Sequence, residues 1–112
     1  MSQQSALVRH VVDVGQFDRA GIESLFAAAD RMRDMPRFSA PLAGLTLATI
    51  FYEPSTRTRL SFETAMHRLG GNVISTENAR EFSSAIKGET VEDTIRIVNG
   101  YADAIVIRHY EQ

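Results

Sequence analysis

Residues 45–52 form a run of apolar and β-branched side chains, closed by Pro54 and followed at once by a helical pattern. A run this short suits a buried strand. Phe62, Ala65, Met66 and Leu69 fall at i, i+3, i+4 and i+7, and Gly70-Gly71 offers the left-handed stop that helix ends favour, so the spacing predicts a helix over 56–69. Val73 and Ile74 then mark a brief strand over 72–76. Strand, helix and strand make one βαβ unit, which calls for a parallel sheet and a right-handed crossover.

Upstream, Ile22, Leu25, Phe26 and Ala29 repeat the helical spacing, and Asp18 is a good N-cap, which predicts a helix ending near Arg33. Residues 1–16 carry short apolar patches at Leu7, Val8, Val11, Val12 and Val14 that suit an arm or a short strand. Pro36 and Pro41 make 35–43 a connection. Downstream, 77–88 is polar and reads as a loop, Val91, Thr94, Ile95 and Val98 mark a third helix, and 104–107 a third strand. The expected fold class is therefore α/β, a parallel sheet with flanking helices built from βαβ units. The chain stops four residues after Arg108, where another helix would normally cover the sheet. The expectation is one incomplete domain over 1–112, poorly stable by itself.

Composition narrows the function. Twelve Lys and Arg against fourteen Asp and Glu give a net charge of -2, no global field for a nucleic acid backbone or an anionic membrane. Any anion must be caught locally. The absence of cysteine removes disulfides and thiolate chemistry and fits a reducing compartment, with the cytoplasm expected. No apolar run approaches the roughly 20 residues of a membrane span, and the start lacks a signal peptide's apolar stretch. His10, His67 and His109 share no ligand spacing and no carboxylate cluster accompanies them, so neither a metal nor a cofactor is expected. His67 reads as a helix-surface or packing residue.

The chemistry concentrates in residues 51–59, between the first core strand and its helix. Ligands of open α/β sheets bind at this carboxyl end. Ser55, Thr56 and Thr58 bring three hydroxyls, and Arg57 and Arg59 two guanidinium groups, to the positive end of a helix whose first N–H groups lack partners within it. A cation in a first helical turn opposes the helix dipole by about 0.3–1 kcal/mol, so two arginines there ask for compensation that a phosphate would supply. At about 100° per residue the two point roughly 200° apart. Arg57 is therefore assigned to the ligand and Arg59 to a structural partner. An ordinary helix start, with Ser55 or Thr56 as cap and the arginines solvated or paired to carboxylates, is the competing reading. Neither a Walker A pattern nor a dinucleotide glycine fingerprint is present.

Residues 51–59, with Leu60, Ser61, Phe62, Glu63, Thr64 and Ala65 after them, resemble the carbamoyl-phosphate signature of the aspartate and ornithine carbamoyltransferases. Glu53-Pro54 resembles the aspartate branch. The resemblance continues through 67–71, 83–89 and 101–109 and covers most of the chain after Leu45. It implies that Ser55, Thr56, Arg57 and Thr58 hold the phosphate, with Thr58 also near the carbamoyl carbonyl oxygen. It likewise implies that Arg108 contacts carbamoyl phosphate and polarises that carbonyl, and that Glu53 supports closure of a second domain. By its residue type alone, Arg108 at a strand end reads as a solvated side chain. Ser83 and Lys87 match a loop that, in the family, reaches into the active site of a neighbouring subunit of a trimer, with Ser84 as a one-residue alternative to Ser83. Without the resemblance that stretch is a solvated loop. Tyr110 departs from the proline common in many members.

The implied reaction is transfer of the carbamoyl group to L-aspartate in pyrimidine synthesis. The aspartate-binding domain and the family's catalytic histidine, in a His-Pro-x-x-Gln stretch, are absent from these 112 residues, so the chain alone is expected to be inactive. The resemblance implies a homotrimer and leaves room for regulatory or dihydroorotase chains. An ornithine carbamoyltransferase, against which Lys87 speaks, and a non-catalytic phosphate-binding module are the alternatives.

Overall fold

A computed structural model describes residues 10–36, 39–77 and 90–109. The chain divides into two compact units, 1–36 and 37–112. In the first, Val14–Gln16 is a single 3-10 turn, and α1, Arg19–Arg33, follows. The short strand considered for residues 1–16 does not form among residues 10–16. Asp13 instead accepts the Gly15 N–H, and the Gln16 side-chain oxygen accepts the Asp13 and Val12 N–H groups at 3.0 and 2.9 Å. These local bonds satisfy the backbone without a sheet neighbour, and Val11, Val12 and Val14 stay exposed. Asp18 caps α1 through the Gly21 N–H at 2.7 Å. Within this unit Leu25 and Phe26 of α1 are exposed.

The second unit holds a three-stranded parallel sheet in the order β2-β1-β3. The strands are β1, Thr46–Phe51, β2, Asn72–Glu77, and β3, Ala104–Arg108. Helix α2, Thr56–Arg68, connects β1 to β2, and α3, Val91–Val98, precedes β3. Glu77 is thus the last residue of a strand rather than the first of a loop. The apolar run falls on the central strand, where both faces are covered, and Leu47 through Tyr52 are all buried. Successive side chains alternate. Thr49 faces α2, where it meets Glu63, whereas Ile50 and Tyr52 pack with Val91, Ile95 and Val98 of α3 and with Ile105.

The outer strands carry partly exposed apolar side chains, among them Ile74 at 42% and Ile107 at 41% exposure. Thr90 and Asp93 cap α3 reciprocally. Helix α2 ends as its glycines predicted. Gly70 sits at φ +90°, the Gly70 and Gly71 N–H groups return to the His67 and Met66 carbonyls, and the Leu42 N–H donates to the Leu69 carbonyl. A Cβ on Gly70 would stand 2.6 Å from the Ala40 Cβ and 2.9 Å from its Cα. Gly70→Ala should therefore destabilise the chain by more than the roughly 1–2 kcal/mol of a left-handed non-glycine residue. Thermal melting should show a lowered midpoint, whereas Gly44→Ala, at φ +84° with open space around it, meets only the backbone cost.

Candidate functional site

Register brings the site together. Phe51, the last residue of β1, pairs with Glu77 on one side and Arg108 on the other, so three strands end level. The Tyr52 N–H extends the ladder to the Arg108 carbonyl at 2.9 Å. The chain then turns through Glu53 and Pro54, and α2 starts over the same edge.

The entrance of α2 is uncapped. Ser55 occupies the N-cap position, yet its side chain makes no capping bond; its Oγ accepts instead from Arg108 Nη1 at 3.0 Å. A helix start leaves the N-cap amide and the next three without helical partners. Here the Ser55 N–H donates to Glu77 Oε2 at 3.2 Å, and the Arg59 N–H returns to the Ser55 carbonyl. The amides of Thr56, Arg57 and Thr58 lie between them, on residues that are all exposed. Among the described residues, none buries these three. The reading of Ser55 or Thr56 as an ordinary side-chain cap is not what forms.

The two arginines divide as the helical geometry predicts. Arg59 is tied inward, with Nη1 3.0 Å from Ser75 Oγ and 3.5 Å from Glu63 Oε2, and Nη2 3.6 Å from Glu77 Oε1. Arg57 is exposed and has neither an ion pair nor a hydrogen bond among the described residues. Arg108, expected at the ligand, is held by Glu53, Nε to Oε1 at 3.0 Å, and its side chain is 49% exposed. An exposed pair of this kind contributes about 0–1 kcal/mol, little enough for a ligand to displace. Thr58 is exposed and its carbonyl accepts the Ser61 hydroxyl at 2.9 Å. Ser83, Lys87 and the alternative Ser84 lie outside the described residues, as does Tyr110.

Beneath the mouth lies a polar cluster that sequence reasoning missed. Thr49, fully buried, and Ser75 both lie 2.7 Å from Glu63 Oε2. Only the Arg59–Glu63 spacing of four residues signalled it. Burial pushes the Glu63 carboxyl up, but the Ser75 and Thr49 hydrogen bonds, with the Arg59 and His67 charges, outweigh it and hold the carboxyl below its ordinary value. Among the described residues no group of three or more His, Cys, Asp or Glu is placed to hold a metal ion, and no helix is long and apolar enough to cross a membrane.

A carboxyl lowered by folding adds stability above its unfolded pKa, about 4.3 for Glu, and loses it as pH falls through the folded value. Parent and Glu63→Gln melting curves should therefore differ most near neutral pH and converge as pH drops below about 4.3. A gap unchanged down to pH 2.5, roughly two units below that reference, would contradict the cluster's electrostatic role.

The carbamoyl-P binding domain model of aspartate/ornithine carbamoyltransferase matches residues 9–112. A chloroplastic aspartate carbamoyltransferase of Oryza sativa subsp. japonica is 57% identical over 109 residues, which cover 90% of this chain and 30% of that protein. The catalytic subunit of M. jannaschii aspartate transcarbamoylase superposes with a TM-score of 0.87 at 45% identity, over 94% of this chain and 35% of the other. Aspartate transcarbamoylase from Trypanosoma cruzi, solved with carbamoyl phosphate and aspartate, superposes at a TM-score of 0.81 and 39% identity, over 94% of this chain and 33% of the other. The chain thus spans about a third of the length of these relatives. An uncapped, arginine-bearing helix mouth at the carboxyl edge of a parallel sheet agrees with the match, and the chain belongs to the aspartate/ornithine carbamoyltransferase family through its carbamoyl-phosphate-binding domain.

Proposed function

We propose that the mouth of α2 binds carbamoyl phosphate and that the protein carrying this domain transfers the carbamoyl group to L-aspartate. The observation that carries the reading is the trio of amides on Thr56, Arg57 and Thr58, without a Ser55 side-chain cap and beside an Arg57 that has no partner among the described residues. Phosphate oxygens would take those amides, the hydroxyls of Ser55, Thr56 and Thr58, and the Arg57 guanidinium. Arg108, exchanging Glu53 for the ligand, would sit at the carbamoyl carbonyl oxygen together with Thr58.

In the reaction the α-amino group of aspartate forms a C–N bond to the carbamoyl carbon, the C–O bond to phosphate breaks, and the amine gives up a proton. The products are N-carbamoyl-L-aspartate and phosphate. The domain's contribution is placement, and stabilisation of negative charge on the carbonyl and on the leaving phosphate by donors already in position. Arg57, Thr58 and Arg108 are the residues proposed to touch reacting atoms.

Ser83 and Lys87 are proposed to serve the site of an adjacent subunit in a homotrimer, a reading carried by the family resemblance of their loop, with regulatory or dihydroorotase chains as further partners of the assembly. The cysteine-free composition is the basis for placing the protein in the cytoplasm. The rice relative's own name places that protein in the chloroplast. The aspartate branch is favoured over the ornithine branch because the relatives just described are aspartate enzymes and because Glu53-Pro54 and Lys87 follow that pattern.

Isothermal titration of the chain with carbamoyl phosphate should show binding. Arg57→Ala should weaken it by about tenfold or more, the size of a lost charge-assisted hydrogen bond. Equal affinity of parent and variant would remove the assignment. With carbamoyl phosphate and aspartate together, the chain alone should form no N-carbamoyl-L-aspartate.

A further inference from the structure

A line of polar contacts runs from the buried middle of β1 to the backbone amide at the helix mouth. Thr49 and Ser75 meet on Glu63, Glu63 and Ser75 hold Arg59, Arg59 reaches Glu77 Oε1, and the other Glu77 oxygen takes the Ser55 N–H. The three charged side chains are only 15–30% exposed, Glu63 at 15%, Arg59 at 24% and Glu77 at 30%. Arg59 Nε is buried with no acceptor among the described residues.

As a device for stability alone this is a poor choice. Partly buried ion pairs often stabilise no better than well-packed apolar residues of similar volume. The three groups also sum to one negative charge beside a site built for an anion, which by itself repels the ligand. The line does fix the mouth, however. Glu77 takes the first unpartnered amide and leaves the next three, and with the Ser55 backbone at φ −158° and ψ 87° the Ser55 hydroxyl turns to Arg108 instead of capping its own helix.

We propose that Glu77 is a positioning residue for the carbamoyl-phosphate site, acting through the Ser55 amide and held in register by Arg59 and Glu63 braced on Thr49. This rests on the reading of the α2 mouth as that site. Electrostatics alone and positioning predict opposite signs. Removing a negative charge near an anion site should tighten binding, whereas releasing Ser55 should loosen it.

The test is calorimetric titration of this chain with carbamoyl phosphate, and separately with inorganic phosphate, for parent, Glu77→Ala, Glu77→Gln and Glu63→Gln. All are measured at a temperature where circular dichroism shows each variant folded. Glu77→Ala should weaken binding by about tenfold and shift the Ser55 amide resonance, and Glu77→Gln, which keeps an acceptor for that amide, should recover most of the loss. Glu63→Gln, which removes one of the two carboxylates paired with Arg59, should weaken binding by a smaller factor and serves alone if Glu77→Ala does not fold. Binding unchanged or tightened in Glu77→Ala, or in Glu63→Gln when it stands alone, overturns the inference while the site stands, provided Arg57→Ala still weakens binding by about tenfold or more. Absence of binding by the parent overturns both.

Discussion

A helix that starts at the edge of a parallel sheet brings amides it cannot satisfy, and the way α2 disposes of them governs the rest of this domain. Four N–H groups need partners at such a start. Glu77 takes one, and the Ser55 hydroxyl, which would cap another in an ordinary helix, is drawn away by Arg108. What remains is a concentrated positive potential on exposed residues, increased by Arg57 rather than relieved by it. On the proposed reading, an anion bound at this mouth would offset the cost of that potential.

Two carboxylates order the side chains along this edge. Glu53 retains Arg108, and Glu77 retains Ser55 and, through its second oxygen, Arg59. They differ in accessibility: the Glu53–Arg108 pair is 38% and 49% exposed, Glu77 and Arg59 are 30% and 24%. On the proposed reading a ligand would exchange the more exposed pair, and the more buried one would serve as its scaffold. The sheet register makes both pairs, since Glu77 and Arg108 flank Phe51 at the same level.

Much of this was readable from the residues because the signals were strong and local. The run at 45–52 carries no charged residue and is rich in apolar and β-branched ones, which suits burial on both faces, and α2 carries both a clear period and a glycine stop at Gly70. The separation of Arg57 from Arg59 followed from helical geometry alone. Glu77 was illegible for the opposite reason. Its meaning depends on β2 running one residue further and on a register that sets it opposite Phe51, information held in long-range pairing. Thr49 within an apolar run likewise looked like a β-branched filler until Glu63 and Ser75 met it. Of the two alternatives before α1, an arm or a short strand, the strand fails among residues 10–16 because Asp13 and Gln16 close a turn there.

Heteronuclear amide spectra recorded while carbamoyl phosphate is added to the isotopically labelled chain test the central claim most directly. The account predicts that the Thr56, Arg57 and Thr58 N–H signals move furthest and saturate together with a single dissociation constant. Signals of those three that stay in place while amides elsewhere respond would contradict it.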